Sequence, residues 1–169
     1  GDVVFGNIGS SHCMKLSIVG EAVNLAKMLE HSTRIYNCPV IVEKSVNEAI
    51  SNRTISRFVD FVRTKGGKDG TSVYEIYGHE PEDIVMIKRK YEPDMAEAYD
   101  FYRRADFKKA IEAYVKLMKA VGRHKYNPLH CADPLIEFYL KRCRKYKSNL
   151  DRGIFDLEKW DAVYRITMG

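Results

Sequence analysis

The sequence predicts an α+β fold over its first 78 residues, followed by an α-helical extension, on three observations. Short β-type runs bounded by glycine-rich turns flank one helix-period segment before Gly78. A polar stretch, His79-Glu80-Pro81-Glu82-Asp83, then interrupts the pattern. Beyond it, helical periodicity dominates to near the end of the chain. The expected organisation is residues 1–78 as the α+β unit, 79–92 as a linker and 93–169 as the helical extension.

The opening Asp2-Val3-Val4-Phe5-Gly6-Asn7-Ile8-Gly9 reads as a strand running into a turn, and Met14 to Val19 as its hairpin partner. A chain that opens in mid-strand suggests a fragment of a longer protein, because an edge strand without partners is exposed and sticky. Gly20 to Glu30 reads as an amphipathic helix. Ala22, Leu25, Ala26 and Leu29 fall on one face, and Asn24, Met28 and His31 on another. Pro39-Val40-Ile41-Val42 has the composition of a short buried strand. Ser45 with Glu48 three residues on predicts a capped helix through Ile50. Two further strands, about Ile55–Arg63 and Ser72–Tyr77, flank the turn Lys65-Gly66-Gly67-Lys68-Asp69-Gly70.

In the extension, Met95, Ala98, Tyr99 and Tyr102 form one helical stripe and Phe107, Ala110, Ile111 and Tyr114 the next. Arg104-Ala105-Asp106 lies between them as a helix–helix turn, and Asp133-Pro134 starts a third helix by an N-cap and a first-turn proline. The first two helices resemble one tetratricopeptide unit. A single unit cannot bury its own faces, so it should pack on the rest of the chain or on a partner. A pure helical scaffold would need Tyr99, Tyr102 and Tyr114 exposed in a groove.

The net charge is +5, with basic runs at Lys88-Arg89-Lys90 and Lys141-Arg142-Cys143-Arg144-Lys145. Without aromatic interleaving these read as solvated helix faces, and nucleic acid is not an expected partner. Cys13, Cys38, Cys131 and Cys143 are scattered, with no CxxC pair, which argues against a zinc site and for a reduced, cytosolic setting. No apolar run approaches the ~20 residues that span a bilayer. The cytosolic setting also admits a membrane-anchored parent of which this chain is the cytosolic part.

Gly6-Asn7-Ile8-Gly9-Ser10, then Ile18-Val19-Gly20-Glu21-Ala22-Val23-Asn24-Leu25-Ala26, then Leu29-Glu30, is similar to the core signature of class III adenylate and guanylate cyclases. Val62 to Tyr77 resembles the last hairpin of the same family. The resemblance implies the C-terminal half of a ferredoxin-like cyclase domain, built of antiparallel strands with helices. Phe107 to Ala110, Asp133-Pro134, Tyr139 to Cys143 and Trp160 to Val163 look like the extension that follows some bacterial adenylate cyclase domains.

The resemblance implies conversion of a nucleoside triphosphate to a 3′,5′-cyclic monophosphate and pyrophosphate. It implies two metal ions, Mg or Mn, in the complete parent, and an active site formed between two catalytic domains, hence a homodimer. Asn24 matches the family asparagine that orients the ribose. Met28 departs from the pattern, which typically has arginine there to stabilise the pentavalent phosphorus; a thioether cannot do this. Lys27 is the candidate substitute. Lys65 matches the lysine that contacts the outgoing phosphates, with Lys68 as the alternative register and a solvated turn residue as the other reading. Ser17 falls where the family reads the purine, and its hydroxyl favours ATP. The two metal-binding aspartates of the family fall before Gly1, so no metal ligand is expected in this chain. The expectation is a piece of an adenylate cyclase, inactive alone, whose helical tail offers a surface to a protein partner. The alternative is a degenerate, cyclase-like regulatory module without turnover.

Overall fold

A computed structural model describes residues 1–10, 12–64, 70–124 and 127–166. The chain begins with a two-stranded antiparallel hairpin, β1 (Val4–Ser10) and β2 (Cys13–Val19), in register from Val4↔Val19 to Ser10↔Cys13. Gly9 is required at its tip, because a Cβ there would lie 1.9 Å from the Cys13 carbonyl oxygen. Period-two alternation places Phe5, Leu16, Met14 and Ile18 on one face and Val4, Val19 and Ile8 on the other. All seven are exposed, so the hairpin is apolar on both faces and covered on neither.

Helix α1 (Glu21–Tyr36) follows, entered through Gly20, where a Cβ would meet the Asp2 carbonyl oxygen at 2.8 Å. Its buried stripe is Met28, Ser32 and Tyr36, flanked by the half-buried Leu25, Leu29 and Ile35. This corrects the stripe read from Ala22, Leu25, Ala26 and Leu29: Ala26 is exposed and Met28 is core. The C-terminal half of α1 does the packing, and its larger side chains set which face turns inward.

The main sheet has the order β3-β5-β4-β8. Strands β3 (Ile41–Glu43), β4 (Ser56–Thr64) and β5 (Thr71–Ile76) pair antiparallel. Strand β8 (Tyr164–Ile166) comes from the end of the chain and runs parallel to β4, with Val62 opposite Tyr164. Nothing in the sequence of the tail announced this strand. The short helix α2 (Lys44–Ile50) joins β3 to β4. It has no capping box: its N-cap is Glu43, and the Ser45 hydroxyl donates to the Glu43 carboxylate instead of capping the helix.

Helix α3 (Glu82–Arg103) takes in most of residues 79–92, the stretch read from sequence as a linker. Pro93, which suggests a helix start, sits inside it. The early turns are tied down because Lys88 is buried and pairs with Glu75 on β5 at 2.7 Å. Helix α4 (Phe107–Val121) follows the turn Arg104-Ala105-Asp106, capped by the Asp106 carboxylate accepting from the Lys109 amide at 3.1 Å. The short strands β6 (Arg123–His124) and β7 (Asn127–Cys131) lead to α5 (Pro134–Asp151), whose N-cap Asp133 accepts from the Leu135 amide. The helical tail and the sheet share one core.

Ala105 holds φ +59° in the turn, a left-handed conformation that costs an alanine about 1 kcal/mol. Ala105→Gly is therefore expected to raise stability by about 0.5 kcal/mol, because glycine's greater unfolded-state entropy offsets part of the relief. Urea denaturation of the two proteins measures this.

Tyr102 and Tyr114 are fully buried, and Tyr99 packs edge-on against Phe58 and Tyr139 at 4.9 and 5.6 Å. Tyr114 stacks on Tyr139 at 5.4 Å. Tyr102 and Tyr114 fill the interior, and Tyr99 is half-buried at the edge of a cleft it shares with Phe58, Phe61 and Arg103, so the three tyrosines do not together form the exposed groove that the pure scaffold reading needs. The two basic runs are also not simple solvated faces. Lys88 and Arg142 are buried, while Arg89, Lys90, Lys141, Arg144 and Lys145 are exposed.

Candidate functional site

Two regions carry chemistry. The first is the N-terminal half of α1. Each residue advances about 100° around a helix, so Lys27 stands about 60° from Asn24 on one side and Met28 about 40° on the other. The boundary of the core runs between them. Asn24 and Lys27 are exposed, and Met28 is 2% exposed. The Met28 carbonyl accepts the Ser32 hydroxyl at 2.7 Å within the same buried stripe. The solvent face of α1 thus presents an amide and an ammonium together, and position 28 points away from it. Ser17 is half-buried in β2, opposite Gly6 in the hairpin ladder. Lys65 and Lys68 lie outside the described residues.

The second region is the seam between sheet and tail. An irregularity in β4 between Phe58 and Asp60 alters the alternation of the strand. Residues three apart in a regular strand face opposite sides, yet Arg57 and Asp60 both reach α5. The freed Val59 carbonyl accepts the Tyr139 hydroxyl at 2.7 Å. Arg57 holds Asp133 through two parallel hydrogen bonds of 2.5 and 2.8 Å and donates its Nε to Glu75 at 2.7 Å. Lys88 links Glu75 to Glu80. The Tyr77 ring lies beside both cations, at 5.7 and 5.6 Å. Although burial opposes it, Arg57 holds the Asp133 carboxyl below the usual carboxylate range.

Deeper along α5, Arg142 donates to Asp60 at 2.5 Å, and Asp60 also accepts the Tyr36 hydroxyl at 2.8 Å. Burial pushes the Asp60 carboxyl up and outweighs Arg142 beside it. The Arg142 guanidinium sits against the rings of Tyr164 and Tyr102 at 4.5 and 4.7 Å. The Cys143 thiol is pushed up to about 12 by burial, which makes it a packing group and not a nucleophile.

Among the described residues no three His, Cys, Asp or Glu side chains gather to hold a metal ion, and no helix is long and apolar enough to cross a membrane. The buried carboxylates of the seam are each taken up by an arginine or lysine. Sequence reasoning missed this seam entirely. Its signals were Asp60, a single charge between Val59 and Phe61, and Arg142, hidden inside the basic run Lys141-Arg142-Cys143-Arg144-Lys145, and such signals gain meaning only when both partners are placed.

Comparison with known proteins finds similarity to adenylate cyclases. Over 117 residues, 68% of the chain, it is 28% identical to the terminal-differentiation-specific adenylate cyclase of Dictyostelium discoideum, covering 6% of that protein. Over 82 residues, 45% of the chain, it is 32% identical to an adenylate cyclase of Anabaena cylindrica, covering 16% of that protein. The chain therefore spans a small fraction of these relatives. A match of 117 residues cannot be confined to residues 1–78, so similarity reaches into the helical tail. No family profile matches the chain, and no solved structure matches it. The chain is a distant homologue of adenylate cyclases, with a mixed α+β fold and a C-terminal helical bundle.

Proposed function

We propose that this chain is the C-terminal half of a cyclase catalytic domain together with its helical extension. Its parent would convert ATP to 3′,5′-cyclic AMP and pyrophosphate in cytosolic signalling. The observation that carries the reading is the exposed Asn24–Lys27 face of α1, in a chain homologous to adenylate cyclases. Asn24 would hold a ribose oxygen, since an amide both donates and accepts. Lys27 would supply the positive charge that position 28 does not, and Lys65 would meet the outgoing phosphates. Ser17 would read the purine. The hairpin β1–β2, apolar on both faces, is suited to cover by the rest of the catalytic domain or by a second copy, as expected for a homodimer. The described residues offer no fit for a divalent cation, so the Mg or Mn of the parent would rest on carboxylates outside this chain. The chain alone is therefore inactive in this reading.

The test is cyclic AMP formation from ATP by the full parent, with and without Lys27→Ala. The expected result is turnover by the parent and a fall of about 10²-fold in the variant, the usual scale for one lost charge contact to a transition state. Turnover unaffected by the substitution would remove Lys27 from the site.

The burial of Met28 favours a second reading, a degenerate cyclase-like module that binds without turnover. An inactive parent that still binds ATP would support it. Met28→Arg is not expected to restore activity in either case, because it would place an unpaired charge in the core.

A further inference from the structure

A cleft of about 460 Å³ opens between the C-terminal end of α1, one face of α5 and strand β8. Its walls are aromatic: Tyr36, Phe138 and Tyr164, with Phe138 edge-on to both tyrosines at 4.7 and 5.9 Å. Lys141 and Lys145, one turn apart on α5, line the same cleft; both are exposed, and neither makes an ion pair among the described residues. Arg142 lines it too, 7% exposed, with its Nε and one of its terminal nitrogens lacking any hydrogen-bond acceptor. Glu137 is the one acid in the lining, and its Oε1 accepts the Cys131 amide at 2.6 Å. Three cations against Glu137 and Asp60 leave the cleft with a net positive charge.

From this combination we infer a binding site for a small amphipathic organic anion: a flat apolar body laid against the half-buried rings of Phe138 and Tyr164, and a phosphate or carboxylate head at Lys141 and Lys145. The volume lies in the range of small-molecule pockets, and the lining has their usual make-up, apolar walls with a few convergent polar groups. Flat rings offer stacking and edge contacts to an aromatic body. The two lysines supply point charges to the head without loss of existing partners. Buried guanidinium N–H groups without acceptors add a field of the same sign at the floor. The site is separate from the Asn24–Lys27 face and stands whether or not the parent turns over ATP.

The test uses 1-naphthyl phosphate, titrated into the 169-residue chain by calorimetry. Saturable binding in the range of about 10–100 μM is expected for a ligand of this size. Lys141→Glu with Lys145→Glu should weaken it at least about tenfold. Both lysines are exposed, so the double variant should keep the far-ultraviolet circular dichroism of the parent chain. Lys15→Glu, on the hairpin, should leave binding unchanged. Two further ligands separate the parts of the claim. Inorganic phosphate and 1-naphthol should each bind at least about tenfold more weakly than the conjugate. Absence of saturable binding, or insensitivity to the Lys141/Lys145 double variant, would overturn the site. So would naphthol or phosphate binding as tightly as the conjugate.

Discussion

Arg57→Ala is expected to lower the stability of the chain by about 3–5 kcal/mol, the cost of removing one partner from a buried ion pair. Arg57 is 3% exposed and is the shared partner of Glu75 and Asp133, which are buried equally deeply. Its loss strands Asp133 without a counter-charge and leaves Glu75 with Lys88 alone. Asp133 also caps α5, so the damage reaches the helix that carries the sheet–tail contacts. Domains of this size are stable by about 5–15 kcal/mol, so the variant should sit near the edge of folding. Urea denaturation reads the change, and a loss below about 1 kcal/mol would mean that the network relaxes around the gap. Acid sensitivity should change as well. The Asp133 carboxyl is depressed in the folded state, so it contributes stability above the ordinary carboxylate range that is lost as pH falls through its folded value. Without Arg57 that contribution disappears.

Arg142→Met is expected to cost about 3 kcal/mol near neutral pH. The opposite pH signature should distinguish it from Arg57→Ala. Asp60 keeps the Tyr36 hydroxyl and the Phe61 amide as donors but loses its cation. Its carboxyl is already raised by burial, and removing Arg142 raises it further. A carboxyl raised in the folded state binds its proton more tightly there than in the unfolded chain. Stability tied to it is present at low pH and is lost as pH rises through the folded value. The gap between the variant and the parent chain should therefore be widest near neutral pH and should narrow on acidification. Denaturation curves at pH 5 and pH 7.5 test this, and a gap that is constant with pH would mean that Asp60 is not the group left unpaired.

The local elements were legible because each had a local cause. The hairpin β1–β2 follows from β-type runs around Gly9, α4 from Asp106 and its apolar stripe, and α5 from Asp133-Pro134. The face of α1 was misjudged because periodicity gives a stripe without saying which of two stripes meets a neighbour. Residues 79–92 were read as linker because their polarity conceals the burial of Lys88, which is visible only once Glu75 and Glu80 are in place. Strand β8 is three residues long and depends on β4 for its existence, so no window of sequence contains its reason. For the candidate site, the resemblance named Asn24, Ser17 and the departure at Met28, and Lys27 entered only as the substitute beside it; what the structure adds is that Asn24 and Lys27 are exposed and Met28 is buried. The cleft at Lys141 and Lys145 was not legible, since its walls come from residues over a hundred positions apart, Tyr36 and Tyr164 among them.

The pairing of β8 with β4 also has a meaning for biosynthesis. Val62 leaves the ribosome long before Tyr164, its partner in the sheet. At the usual elongation rate of 5–20 residues per second, the edge of β4 that β8 will occupy stays bare for roughly 5–20 s on every nascent chain. Through that interval the chain carries an unsatisfied strand edge, suited to non-native pairing. Its yield in a cell should therefore depend on what shields the nascent chain before β8 arrives.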